Sequence, residues 1–185
     1  PESDEAWDES VEFERKMGAR GWLTMAWPRE YGGLSASHMR QLIFREELAY
    51  FRAPIIDGQG LNMVGPCIMV HGTPEQKERF LPPISRCEVV WAQGFSEPNA
   101  GSDLASLQTR AVRDGDDYVV NGQKIWTTAA HRGEWIHTLV RTEPDAPKHR
   151  GISYLLIDMK SPGITTRSIR TIAGDDELAQ VFFDG

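Results

Sequence analysis

The chain has 185 residues, enough for one domain or two small ones, and its 40% hydrophobic and 25% charged residues are ordinary globular composition. A net charge of −7 argues against nucleic-acid binding as the main role. Five histidines lack metal-ligand spacing, and Cys67 and Cys87 lie outside any CxxC pair. With no apolar run near the ~20 residues of a membrane span, the sequence predicts no metal site, no disulfide framework and no transmembrane segment. No secretory leader is visible, and a start at Pro1 is expected to be processed or truncated.

Residues 4–20 read as an amphipathic helix with Trp7, Val11, Phe13 or Glu14, and Met17 along one face. Gly18 and Gly21 weaken its end, and a loop with packed aromatics runs to the Gly32-Gly33 turn. Ser35 or Ser37 caps a helix over 36–51 whose face carries Met39, Leu42 and Ile43, with Ala49 and Tyr50 following. Glu46 and Glu47 interrupt it and read as solvated or paired with Arg45. After Pro54, the glycine-containing apolar stretch 57–71 predicts a buried helix carrying Met63, Val64, Ile68 and Met69. Thr73-Pro74-Glu75-Gln76 holds a cap, a proline at the first helical position and a box partner three residues on. That helix is expected to end near Phe80, with Pro82-Pro83 stopping or redirecting it.

Beyond Val89, alternation and turns take over. Leu104 to Val112 alternates, and Asp114-Gly115 is a turn. Asn121-Gly122 reads as a hairpin turn between strands Asp117 to Val120 and Gln123 to Thr127. Trp135 to Thr142 is a strand, Glu143 to Arg150 a charged loop, and apolar Ile152 to Met159 a central strand. Ile164 to Ile172 alternates after the Pro162-Gly163 turn, and Val181 begins a last strand. The fold class is α+β: an all-α helical domain over 1–88, then an antiparallel β-barrel or sandwich domain over 89–185.

Two stretches carry candidate chemistry. Phe95 to Asp103 is turn-rich, with small residues that let a ligand approach backbone N–H groups and with Ser96 and Ser102 as hydroxyl donors. Ile125 to Thr128 sets the flat face of Trp126 beside the hydroxyls of Thr127 and Thr128. Together they suit a planar cofactor bearing phosphates. The glycine spacing matches neither a Rossmann fingerprint nor a P-loop. By residue type alone, an ordinary turn and a core tryptophan remain the alternatives.

Phe95-Ser-Glu-Pro-Asn-Ala-Gly-Ser-Asp103 resembles the flavin-loop signature of the acyl-CoA dehydrogenase family. Asn121-Gly-Gln-Lys-Ile-Trp-Thr-Thr128 resembles its second signature, at a fitting distance along the chain. Glu46 to Ala49, Thr73 to Lys77 and Phe80 to Pro82 are similar to family helices, so the resemblance covers essentially the whole chain. It implies an FAD-dependent dehydrogenase that removes the α-proton of an acyl-CoA thioester and passes the β-hydride to the flavin. It implies cofactor contacts from Gln93, Gly94, Phe95, Ser96, Gly101, Ser102, Trp126, Thr127 and Thr128, with Ser102 also touching substrate. Within that implication Trp126 packs on the flavin ring and Thr128 bonds near N5.

The catalytic base, a glutamate in the family, is expected in a C-terminal helical domain beyond Gly185, and Glu97 is expected to hold its loop. The resemblance further implies an electron-transfer flavoprotein partner, a homo- or hetero-oligomer, and a bacterial cytoplasmic setting rather than the mitochondrial matrix. Two departures stand out: Asn99 where glycine is usual, tolerated if Asn takes a positive φ, and Thr127 where isoleucine is usual. The run Trp126-Thr-Thr-Ala-Ala-His131 is similar to members acting on bulky, steroid-type acyl-CoA esters. A flavin oxidase or monooxygenase of this fold, or a non-catalytic subunit, are the alternatives.

Overall fold

The computed structural model describes residues 3–55 and 58–185, which divide into two compact units, Pro1–Val90 and Trp91–Gly185. The first unit is helical. Helix α1, Asp4–Gly18, starts where the Ser3 hydroxyl accepts the Ala6 N–H and buries Glu14 and Met17. Helix α2 spans His38–Tyr50. A π-helical turn over Gly60–Val64 runs into α3, Gly65–His71, and α4 spans Pro74–Ser85. Part of the expected 57–71 helix, residue 57, lies outside the described residues. The core joins Met17 and Trp27 to Leu61, Val64, Ile68, Phe80, Leu81 and Ile84. Gly65 makes room for the Trp27 indole: a Cβ there would sit 2.2 Å from the ring, whose N–H donates to the Leu61 carbonyl at 3.1 Å.

The apolar face of α2 is open, with Met39, Leu42 and Ile43 each more than half exposed. Periodicity identifies an apolar face but not whether this unit covers it. Its half-buried Phe44 and Leu48 line a cleft of about 610 Å³ with Trp22 and Trp27. Helix α4 passes through Pro82 and Pro83 instead of ending near Phe80. Its capping box forms as expected, with Thr73 Oγ1 accepting the Gln76 N–H at 3.3 Å and Gln76 Oε1 accepting the Thr73 N–H at 2.9 Å. Burial of Leu81 and Ile84, and N–H groups of Arg86, Glu88 and Cys87 donating to the carbonyls of Pro82, Pro83 and Ile84, carry the last turn past the prolines.

The second unit is a seven-stranded sheet: β1 Trp91–Gly94, β2 Arg110–Asp114, β3 Asp117–Thr128, β4 Trp135–Arg141, β5 Ile152–Asp158, β6 Ile164–Ile169 and β7 Leu178–Asp184. The strand order is β1-β4-β2-β3-β7-β6, with β5 also on β4. The sheet is mixed, which corrects the antiparallel expectation: β1 lies parallel to β4 from Trp91–Trp135 to Gly94–Thr138, and β2 meets β4 in parallel at Arg110–Arg141. Strand β5 occupies β4's other edge and pairs with no other described strand, so it is not central. Alternation reports which faces are covered, and carries no information on strand direction or order.

Leu104–Ser106 is a 3₁₀ turn rather than the start of a strand. The hairpin turn lies at Asp114–Asp117, and β3 runs straight through Asn121 and Gly122. Gly122 has φ +147, and a Cβ on it would lie 2.6 Å from Thr109 Oγ1, so this glycine admits a close crossing rather than a turn. Gly122→Ala is therefore expected to destabilise the protein by more than about 1 kcal/mol, and exposed Asn121→Ala to change stability by less than about 0.5 kcal/mol. Thermal unfolding of both variants checks this, since a turn at 121–122 would make both substitutions harmful.

Candidate cofactor-binding site

A buried ion pair builds the site. Lys124, on β3, has no exposed side-chain surface, and its Nζ lies 2.8 Å from Glu97 Oε1. The same Nζ donates to the Phe95 carbonyl at 3.2 Å. Glu97 also accepts the Gln108 N–H at 2.6 Å and the Thr109 N–H at 2.9 Å. Burial raises the Glu97 carboxyl, but hydrogen bonds from Lys124, Thr109 and Gln108 outweigh it and hold the group below the ordinary glutamate range. Burial lowers Lys124 more than its partner's charge restores. An ionised carboxylate facing inward onto these donors is a structural clamp, not a proton acceptor for a ligand.

The clamp shapes the loop after β1. Glu97 and Ala100 exchange N–H···O bonds of 2.9 and 3.0 Å across Pro98-Asn99. Asn99 does not have the positive φ invoked for it, so the turn accommodates asparagine without strain. The Asp103 carboxylate pairs with Lys148, while its carbonyl accepts the Ser106 N–H and hydroxyl. Arg141, at the end of β4, donates to the carbonyls of Ala105, Leu107, Lys148 and Arg150, fastening the 143–150 loop to the segment after Asp103.

The two candidate stretches meet directly: the Ile125 N–H donates to the Ser96 carbonyl at 2.9 Å. Here the β3–β7 register shifts between Lys124 and Thr127, and Trp126 takes φ +60, rare for a residue with a bulky side chain. The bulge resets the alternation. Trp126 turns outward, 57% exposed, and Thr127 turns inward with a buried hydroxyl that has no hydrogen-bond partner among the described residues. Thr127 is fully buried, backbone and side chain alike, so its hydroxyl is not the exposed polar handle expected beside Trp126. Thr128 is half-buried, and His131 is exposed just beyond.

Along the loop, Gln93, Phe95 and Ser96 are half-buried, and Gly101 and Ser102 are exposed. A Cβ at Gly101 would meet nothing within 4 Å, so this chain's own packing does not require the glycine, which leaves room for another molecule. Gly94 is different. A Cβ there would lie 2.7 Å from Thr138 Oγ1, and that hydroxyl donates to the Gly94 carbonyl at 2.6 Å. Its glycine serves strand packing. An exposed indole on a strained bulge, an open glycine and an outward serine fit a flat ring system with an attached polyphosphate. Sequence reasoning missed Lys124, Thr109, Thr138 and Arg141 as site-building residues. A lysine flanked by strand residues, with a glutamate held before a proline, was the available signal for the first.

The chain belongs to the acyl-CoA dehydrogenase family: residues 1–88 match "Acyl-CoA dehydrogenase, N-terminal domain" and residues 92–185 match "Acyl-CoA dehydrogenase, middle domain". Family members are FAD-dependent. Acyl-CoA dehydrogenase IpdE1 of Mycobacterium tuberculosis is 43% identical over 181 residues, 97% of this chain and 47% of that protein. The solved "Tcur3481-Tcur3483 steroid ACAD" superposes with a TM-score of 0.88 at 40% identity, covering 96% of this chain and 46% of that one. The ChsE4-ChsE5 complex from M. tuberculosis gives 0.87 at 46% identity, covering 95% of this chain and 45% of that one. The chain spans about half the length of the curated relatives it matches.

Neutralising Glu97 leaves the buried Lys124 cation without its counter-ion. Glu97→Gln is expected to lose about 3–5 kcal/mol, and Glu97→Gln with Lys124→Met to recover most of that. Because the folded Glu97 pKa is depressed, the clamp's stabilisation is full above the unfolded value of about 4.3 and is lost as pH falls through the lower folded value. Urea unfolding at neutral and acid pH measures both effects.

Proposed function

We propose that this chain supplies the N-terminal helical domain, residues 1–88, and the FAD-holding β domain, residues 89–185, of an acyl-CoA dehydrogenase acting on a bulky, steroid-type acyl-CoA. The observation that carries the reading is Trp126, held outward on a strained bulge one residue from the N–H that binds Ser96. The cofactor supplies the acceptor for a hydride leaving the β-carbon as the α-proton is removed. Trp126 holds the flavin ring by stacking. The backbone from Gln93 to Ser96, with the Ser96 hydroxyl, lines the ring's polar edge. The Thr128 hydroxyl would bond the ring and tune its affinity for electrons. Gly101 and Ser102 take the phosphate-bearing portion, and Ser102 also meets the acyl-CoA.

The two carboxylates of the loop after β1 are not free to take the α-proton, since Glu97 is committed to Lys124, Gln108 and Thr109 and Asp103 to Lys148. That role falls to a glutamate beyond Gly185, as in the family. The steroid-type substrate is supported by the solved steroid ACAD neighbour and by the Trp126 to His131 run. Assembly with a second chain is supported by the ChsE4-ChsE5 complex, and an electron-transfer flavoprotein is the family's electron acceptor. The thiols of Cys67 and Cys87 and bacterial relatives support a cytoplasmic setting. No helix among the described residues is long and apolar enough to cross a membrane.

Anaerobic addition of acyl-CoA thioesters to the purified complete protein is expected to bleach its flavin band. Fast reoxidation of the bleached flavin in air would favour an oxidase. Trp126→Ala is expected to weaken FAD binding by about tenfold or more, and unchanged flavin content in that variant contradicts the stacking role.

A further inference from the structure

His137 is a buried polar residue outside the Glu97–Lys124 clamp. It sits in β4 with no exposed surface, and neither ring nitrogen has a hydrogen-bond partner among the described residues. A neutral imidazole always carries one N–H, so leaving it unpaired in the interior is unfavourable. A hydrocarbon ring would fill the same space without that penalty, so volume alone does not explain the residue.

Its surroundings point to the loop. Gln93 and Leu156 lie opposite His137 on the neighbouring strands, and the imidazole packs edge-on against Phe95 with centroids 5.2 Å apart and against Tyr154 at 5.7 Å. Phe95 begins the cradle loop, and its carbonyl receives Lys124. The next β4 residue, Thr138, points to the other face and holds the Gly94 carbonyl. Two successive β4 residues therefore fix the Gly94-Phe95 exit of β1, one from each side of the sheet.

We infer that His137 is a positioning residue, whose ring seats Phe95 and thereby sets the Gly94–Ser96 backbone for the ligand. This rests on the proposed flavin site. The seat is also acid-labile. Burial pushes the imidazole down to about 4, and a second proton would find no acceptor. The packed elements offer little to stabilise the cation. Strand β1 has no charged residue. Strand β5 has Tyr154, and Asp158 at its far end, which accepts the Lys160 N–H. The remaining β4 charge, Arg141, is bonded to carbonyls, and β2, with Arg110, Arg113 and Asp114, meets β4 only at Arg110–Arg141. Glu97 belongs to Lys124.

The test uses the complete protein labelled with 4-fluorophenylalanine, with the Phe95 signal assigned by Phe95→Leu. In the wild type that ¹⁹F signal is expected to move as pH falls from about 6.5 toward about 4, and in His137→Phe to stay in place. His137→Phe keeps the ring, and its flavin content at neutral pH is expected to be unchanged and to survive acid that strips the wild type. His137→Ala removes the seat and is expected to raise the flavin dissociation constant about tenfold. A Phe95 signal indifferent to pH in the wild type, or moving equally in His137→Phe, overturns the proposal. The ¹⁹F titration needs no flavin, so it separates failure of this inference from failure of the cofactor reading. Should His137→Ala not fold, the His137→Phe comparison still decides.

Discussion

The Glu97–Lys124 pair is the constraint on which the cradle depends. One carboxylate draws together the loop after β1, the N–H groups of Gln108 and Thr109 at the entry to β2, and the middle of β3. Burying two charges is unfavourable in itself, so a pair of this kind is weak evidence for stability and better evidence for a required geometry. What it fixes is a backbone: the Phe95 carbonyl is held by Lys124, the Glu97–Ala100 turn is closed, and Ser96 lies beside Ile125. The loop's form is thereby set by the chain itself, without help from a ligand.

From that anchor the surface features follow. The same strand that buries Lys124 breaks register immediately afterwards, and the bulge turns Trp126 out and Thr127 in. The strain of φ +60 at a tryptophan is tolerated because β3 is pinned to the loop on one side of the bulge and to Ala179 and Leu178 of β7 on the other. Below lies a hydrophobic core of Ala92, Ala130, Ile136, Ala179, Val181 and Phe183, which gives the site a rigid floor. Rigid placement of an aromatic face and of backbone donors is what a flavin enzyme asks of its protein, since the redox chemistry belongs to the cofactor.

Much of this was legible in the sequence, and the rest was hidden for physical reasons. The two signature stretches, the switch from helical to strand texture and the Thr73 capping box are local patterns that depend on few distant contacts. The parallel pairing of β1 with β4 depends on strand direction, which alternation does not encode. Asn121-Gly122 has the composition of a hairpin turn, yet its glycine answers to Thr109 on a neighbouring strand. Met39, Leu42 and Ile43 form a real helical face that this unit leaves uncovered. Thr127 read as a polar handle because a bulge cannot be seen in residue types. The clamp itself joins residues 27 apart in sequence, and only the fold shows that they meet.

Hydrogen exchange on the flavin-free complete protein measures whether the cradle is formed before the cofactor arrives. The Glu97, Ala100, Gln108, Thr109 and Ile125 amides are expected to be protected before any flavin is added, and Lys124→Met to lower this protection while leaving the β4–β5 amides unchanged. Amides that exchange freely until flavin binds, or protection indifferent to Lys124→Met, would contradict a preformed cradle.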